Sequence, residues 1–272
     1  MAKPSLEQSR AKTQRAKEHF RDLLIKANEF SGLNPYGVVI DENPETGERV
    51  WRARVSRQIP IEWSMITGDV VHNLRAALDF LAWQLVIANG RTPDSNTYFP
   101  IRRPLQASPP PKAIRDYQAK EKRQIESFGE TAMAIIERLQ PDPRRYSGDV
   151  ELHPLWLLHQ LDIWDKHKLL NIVGGTVRLS GLTIGGPGED VHIDRMVIGG
   201  GDVRVVPIAD GTELLRLKLG DDTPNVKVEE QFQFYIAFEQ GGPGKGEPVL
   251  PTCDNLISFI DQSITLFAPL FS

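Results

Sequence analysis

Asp162-Ile163-Trp164-Asp165-Lys166-His167-Lys168-Leu169-Leu170-Asn171-Ile172-Val173-Gly174-Gly175-Thr176-Val177-Arg178-Leu179 is the stretch in which the chain changes period. Before it, Leu157, Leu161 and Trp164 recur at helical spacing, with His159, Asp162, Asp165 and Lys166 on the other side. That pattern predicts an amphipathic helix over residues 154–170. After Asn171 the chain reads as short strands at 172–179, 191–198, 203–208, 214–219 and 226–238. Fifteen of the 22 glycines fall between residues 171 and 246, where they mark the intervening turns. Short strands joined by tight turns imply an antiparallel meander, because parallel strands need longer crossovers.

Upstream the signals are mainly helical. Residues 5–30 carry Phe20, Leu23, Leu24, Ala27 and Phe30 on one side, and Gly32, Asn34 and Pro35 stop the helix. A hairpin follows, with strands at 36–40 and 49–56 around Asn43-Pro44-Glu45-Thr46-Gly47. Its second strand puts Trp51, Ala53 and Val55 on one face and Arg52 and Arg54 on the other. Residues 62–89 form the strongest helix, closed by Gly90. Residues 91–112 hold six prolines and read as an extended connection. Helices are expected at 112–128 and 131–139, and a last one at 253–267. The fold class is therefore α+β: a mainly helical region 1–170 with a β-hairpin at 36–58, an antiparallel β-rich region 171–247, and a C-terminal helix in 248–272.

Composition narrows the function. At 272 residues, 40% hydrophobic and 25% charged, the chain has ordinary globular content. Its mean hydropathy of -0.31 and the absence of any apolar run near ~18–20 residues exclude a membrane-spanning helix. No secretory signal is visible, and the single cysteine, Cys253, excludes an intramolecular disulfide and a Cys-rich zinc site. A cytoplasmic location is expected. The net charge of -4 divides unevenly: residues 1–145 carry 23 Lys+Arg and 18 Asp+Glu, and the remainder carries 9 and 18. The basic half admits an anionic partner, nucleic acid or nucleotide, although its excess falls short of a dedicated nucleic-acid-binding domain.

Candidate chemistry lies on the helix at 62–89. Between Trp63 and Gly90 there is no Lys and no Glu; the formal charges are Asp69, Arg75 and Asp79, with His72 among them. On a helical projection all four share a stripe about a third of the circumference wide, and Val70, Leu74, Leu78 and Leu81 lie opposite. One account is a wet face with a surface Arg75–Asp79 pair. The other is a cleft-lining stripe that needs complementary groups on a partner element. If the helix at 154–170 supplies them, Asp165 and His167 approach His72 and Asp79. His72 would then be the acid–base group, Arg75 the phosphate clamp, and Asp79 or Asp165 the orienting carboxylate. Asn73 on the same helix, and Arg52 and Arg54 on the hairpin, are ligand-binding candidates. An ordinary solvated strand face also explains the two arginines.

No cofactor motif is present: neither a dinucleotide fingerprint nor a Walker A loop occurs. Metal binding by His72, His159 and His167 with Asp162 or Asp165 is the rival to metal-free chemistry, but His159 and His167 lack the four-residue helical spacing. The alternative to a ligand site is a non-catalytic interaction or scaffold protein, with a protein partner or a second copy of the chain.

Two of these segments, His72-Asn73-Leu74-Arg75-Ala76-Ala77-Leu78-Asp79 and Asp165-Lys166-His167-Lys168, resemble a pairing found in uncharacterised bacterial proteins, a resemblance that implies no particular activity. The helical part also resembles the HEPN superfamily, whose active members include metal-independent ribonucleases of toxin and phage-defence systems. The resemblance implies a helical bundle and ribonuclease activity. In that family's motif an Arg precedes a His; here His72 precedes Arg75.

Overall fold

The computed structural model describes residues 3–102, 111–142, 145–170, 172–186, 191–198, 208–220, 226–239 and 241–271. The chain divides into two compact units. The helical unit comprises residues 1–23, 64–170 and 251–272, and the strand-rich unit residues 24–63 and 171–250. No described helix is long and apolar enough to cross a membrane.

The helical unit is built on α1 (Glu7–Gly32), α2 (Glu62–Ala88), α3 (Pro111–Phe128), α4 (Glu130–Leu139), α5 (Pro154–His167) and α6 (Val249–Leu266), of which α1, α2 and α6 each have residues in both units. The apolar side of α2 fills the core as its spacing predicts: Val70, Leu74, Leu78 and Leu81 are inaccessible to solvent. Leu155, Leu158 and Leu161 of α5 and Leu256, Ile260 and Ile264 of α6 are equally deep. Each such side chain contributes roughly 1.5–3 kcal/mol by leaving water. Gly90 ends α2 with φ +71°. There the Gly90 N–H donates to the Ile87 carbonyl and the Arg91 N–H to the Val86 carbonyl, closing a Schellman turn that favours glycine.

Helix α5 starts at Pro154, capped by the His153 ring, whose Nδ1 accepts from the Leu155 N–H at 3.3 Å. It stops at His167, short of the expected residue 170, where Lys168 turns extended. The Asp165 carboxylate takes the Leu170 backbone N–H, and the Leu170 side chain is buried. A tertiary anchor therefore replaces the last helical turn.

The strand-rich unit holds β1 (Tyr36–Glu42), β2 (Arg49–Val55), β3 (Ile172–Ile184), β4 (Ile193–Ile198), β5 (Glu213–Leu219) and β6 (Val228–Phe238). All described pairings are antiparallel, as the short turns require. They do not form a meander. One sheet has the order β1-β2-β5-β4, and β3 pairs with β6 in a second. The reason is burial. Trp51 and Ala53 of β2 share a core with Leu215 and Leu217 of β5, against which Leu182, Ile184, Phe232 and Phe234 of the second sheet pack. The two units also divide at Leu170/Asn171, but the hairpin, expected with residues 1–170, pairs with β5 and belongs with the downstream strands. Of the strand expected at 203–208 only Ile208, which is buried, is described, and residues 103–110 of the proline-rich connection lie outside the described residues too.

Candidate functional site

The site lies in the helical unit, where α5 packs on the polar stripe of α2. Close approach begins at Gly68. A Cβ there would sit 2.7 Å from both carboxylate oxygens of Asp165, so a larger residue at this position requires the Asp165 side chain to shift. One turn further along α2, His72 Nδ1 lies 3.5 Å from Asp162 Oδ1. The other oxygen of Asp162 accepts from Lys166 Nζ at 2.6 Å. Asp162 is 3% exposed while His72 is 60% exposed, so a buried carboxylate backs an accessible imidazole.

Arg75 and Asp79 form the second half. Arg75 Nη2 donates to Asp79 Oδ1 at 2.9 Å and to the Phe99 carbonyl at 3.1 Å. Asp79 Oδ1 accepts the Phe99 N–H at 2.9 Å. The pair thus clamps one residue of the segment after α2 by both its backbone polar groups. The Phe99 ring is fully buried and meets Phe267 edge-on at 6.3 Å. Gln140, accepting from the Arg102 N–H and donating to the Pro100 carbonyl, holds the segment's far end to α4.

A cavity of about 390 Å³ opens beside these groups, lined by Gln8, His72, Arg75, Ala76, Asp79, Phe80, Trp83, Thr97, Asp162 and Lys166. Arg75 Nη1 is buried and makes no hydrogen bond among the described residues. Phe80 and Trp83, one helical turn apart, supply an aromatic wall at 36% and 42% exposure.

The electrostatics follow the burial. Desolvation pushes the Asp79 carboxyl above the usual aspartate value, against the pull of Arg75 and the Phe99 N–H. Asp165 is pushed up for the same reason, opposed by the Leu170 N–H and reinforced by Asp162 and Asp69.

Of the sequence candidates, His72, Arg75 and Asp79 line one pocket. Asp165 lies beside it against Gly68. His167 is exposed at the end of α5 and is not part of the lining. Asn73 turns away, donating to the Asp69 carbonyl at 2.8 Å and accepting from Lys12 Nζ at 3.3 Å, which ties α1 to α2. In the strand-rich unit Arg52 is held by Asp41 at 2.9 Å and by the Gly211 carbonyl, and Arg54 is exposed. His159 meets the Trp156 ring at 5.7 Å and is not part of the pocket lining. Among the described residues no group of three or more His, Cys, Asp or Glu is placed to hold a metal ion.

Sequence reasoning missed four members. Asp162, not Asp79 or Asp165, is the carboxylate within ion-pair distance of His72 among the described residues. Asp162 was legible as a possible metal ligand and, with Lys166, as an i, i+4 pair; Trp83 fell on the stripe of α2, and Phe80 carried no signal beyond apolar character. No family model matches the chain, and no curated protein or solved structure shows significant similarity to it.

Proposed function

We propose that the protein binds a phosphate-bearing ligand, an RNA or a nucleotide, in the pocket between α2 and α5, with His72 backed by Asp162 as its acid–base group. The observation that carries this reading is the Arg75 guanidinium, which lines the cavity and whose buried Nη1 has no hydrogen-bond partner among the described residues. A buried donor left unmade costs about 1–3 kcal/mol. An anionic oxygen arriving there removes the cost and gains a charge-assisted bond. Lys166 has donors to spare beyond its bond to Asp162.

In cleavage, His72 takes the proton of the attacking hydroxyl as the new P–O bond forms, the old ester bond breaks, and the departing oxygen takes a proton from water. Asp162 stabilises the imidazolium so formed. Asp79 acts as a positioning group through Arg75, and Asp165 through the Leu170 N–H that it holds at the end of α5. The cytoplasm suits this chemistry, and Cys253 takes no part: burial and Asp254 push its thiol up to about 12.

The test compares wild type with His72→Ala and Lys166→Ala for binding and cleavage of a fluorescent single-stranded RNA. Because His72 is 60% exposed, its removal should leave stability within about 0.5 kcal/mol. Loss of cleavage with the fold intact supports the reading; unchanged binding and cleavage in both variants, or none in wild type, rejects it. The double hold of Arg75 and Asp79 on Phe99 favours a second reading, a non-catalytic scaffold or interaction protein. In that case ligands leave the melting temperature unmoved and His72→Ala is silent in every assay.

A further inference from the structure

We infer that the ligand of this pocket is a mononucleotide unit carrying one phosphate group, an inference that rests on the phosphate-binding reading above. Two observations point there. The first is charge. The lining cations are Arg75 and Lys166, and each is matched by a lining carboxylate, Asp79 at 2.9 Å and Asp162 at 2.6 Å. The four formal charges cancel, and only protonation of His72 adds a positive one. Such a site has donors for one phosphate, in the Arg75 guanidinium that lines it and the remaining N–H groups of Lys166. A triphosphate would bring further negative charge towards Asp79 and Asp162 with no further lining cation to receive it.

The second observation is the wall. Phe80 and Trp83 line the cavity but keep a third or more of their surface open, whereas Leu74, Leu78, Leu81 and Leu85 of the same helix are buried in the core. A planar base covers such a wall by stacking and needs no hydrogen-bond code to do so. The cavity, about 390 Å³, lies at the small end of ligand pockets, which run from ~300 to ~1,000 Å³. One base and one phosphate, separated by a sugar, match an aromatic wall with a cationic corner.

The experiment is calorimetric titration of the full chain with adenosine and uridine 5′-monophosphates, the corresponding nucleosides and triphosphates, and inorganic phosphate, all without divalent cations. At least one monophosphate should bind roughly tenfold or more tightly than its nucleoside, its triphosphate and phosphate alone, a difference of about 1.4 kcal/mol. Trp83→Leu should weaken that monophosphate by a similar factor, and Trp83→Phe should restore most of it. A triphosphate binding as tightly as the monophosphate overturns the single-phosphate inference and leaves the phosphate-site reading standing. Inorganic phosphate binding as tightly, or a silent Trp83→Leu, removes the base from the wall. If no nucleotide, phosphate or RNA binds, both the inference and the reading beneath it fall.

Discussion

The α2–α5 pocket and the β2 strand spend similar residues in opposite ways. On α2, His72, Arg75 and Asp79 share a stripe, and α5 lies close enough over that stripe, at Gly68, to enclose it. On β2, Arg52 and Arg54 alternate with Trp51 and Ala53, so the same pleat that buries the apolar pair turns the guanidiniums outward. Arg75 keeps 9% of its side chain in solvent and Arg52 keeps 37%. The lesson is that arginine content does not make a site. A second element that covers the charge does, because only then is the dielectric low and each donor's partner consequential.

That contrast can be broken from either side. The largest effect is expected at Trp51→Ala, which empties the core behind the two outward arginines and should cost about 3–5 kcal/mol in denaturant unfolding. Arg75→Leu should follow at about 2–3 kcal/mol, because it leaves the half-buried Asp79 without its cation and releases one of the two bonds to Phe99. Adding Asp79→Asn should recover part of that loss, whereas equal stability of single and double variants would show the clamp to be idle. Gly68→Val forces a methyl group against the Asp165 carboxylate and should cost about 1–3 kcal/mol.

A pH effect sharpens the same contrast. Burial lowers the His153 pKa below its ordinary 6.5, and the neutral ring caps α5. Below pH 6.5 the unfolded chain holds the extra proton, so stability should fall as pH drops from there to the folded value and then level off. Thermal melts between pH 7.5 and 5 check the sign, and His153→Asn, which keeps a cap without titrating there, should flatten the curve. The smallest effect belongs to Arg54→Ala, within about 0.5 kcal/mol on stability and with no change in ligand affinity.

Much of the fold was legible because it follows from local period. The polar stripe of α2, the inward Trp51 and Ala53, and the antiparallel strands after residue 171 all follow from spacings of 3.6 and 2. The pairing of β2 with β5 was not legible, since the partners Arg52–Glu213 and Arg49–Leu217 are 161 and 168 positions apart and no local signal spans that distance. The site divides in the same way. His72, Arg75 and Asp79 could be placed together from one helix, but Asp162 and Lys166 looked like a solvated pair because nothing in their own segment reveals what packs over them. Asp165 and His167 show the limit: two residues apart on one helix, the first meets Gly68 and the second points to water.

By itself, then, the chain's sequence determined its α+β class, the want of a described helix long and apolar enough to cross a membrane and the gathering of ionisable groups on one side of α2, because periodicity and hydropathy are local properties. Only the tertiary structure decided that Asp162 backs His72, that Arg75 holds Phe99 with one nitrogen while another has no partner among the described residues, and that Phe80 and Trp83 wall a cavity. Those are contacts between segments distant in sequence, and their energies depend on burial that no single segment creates alone.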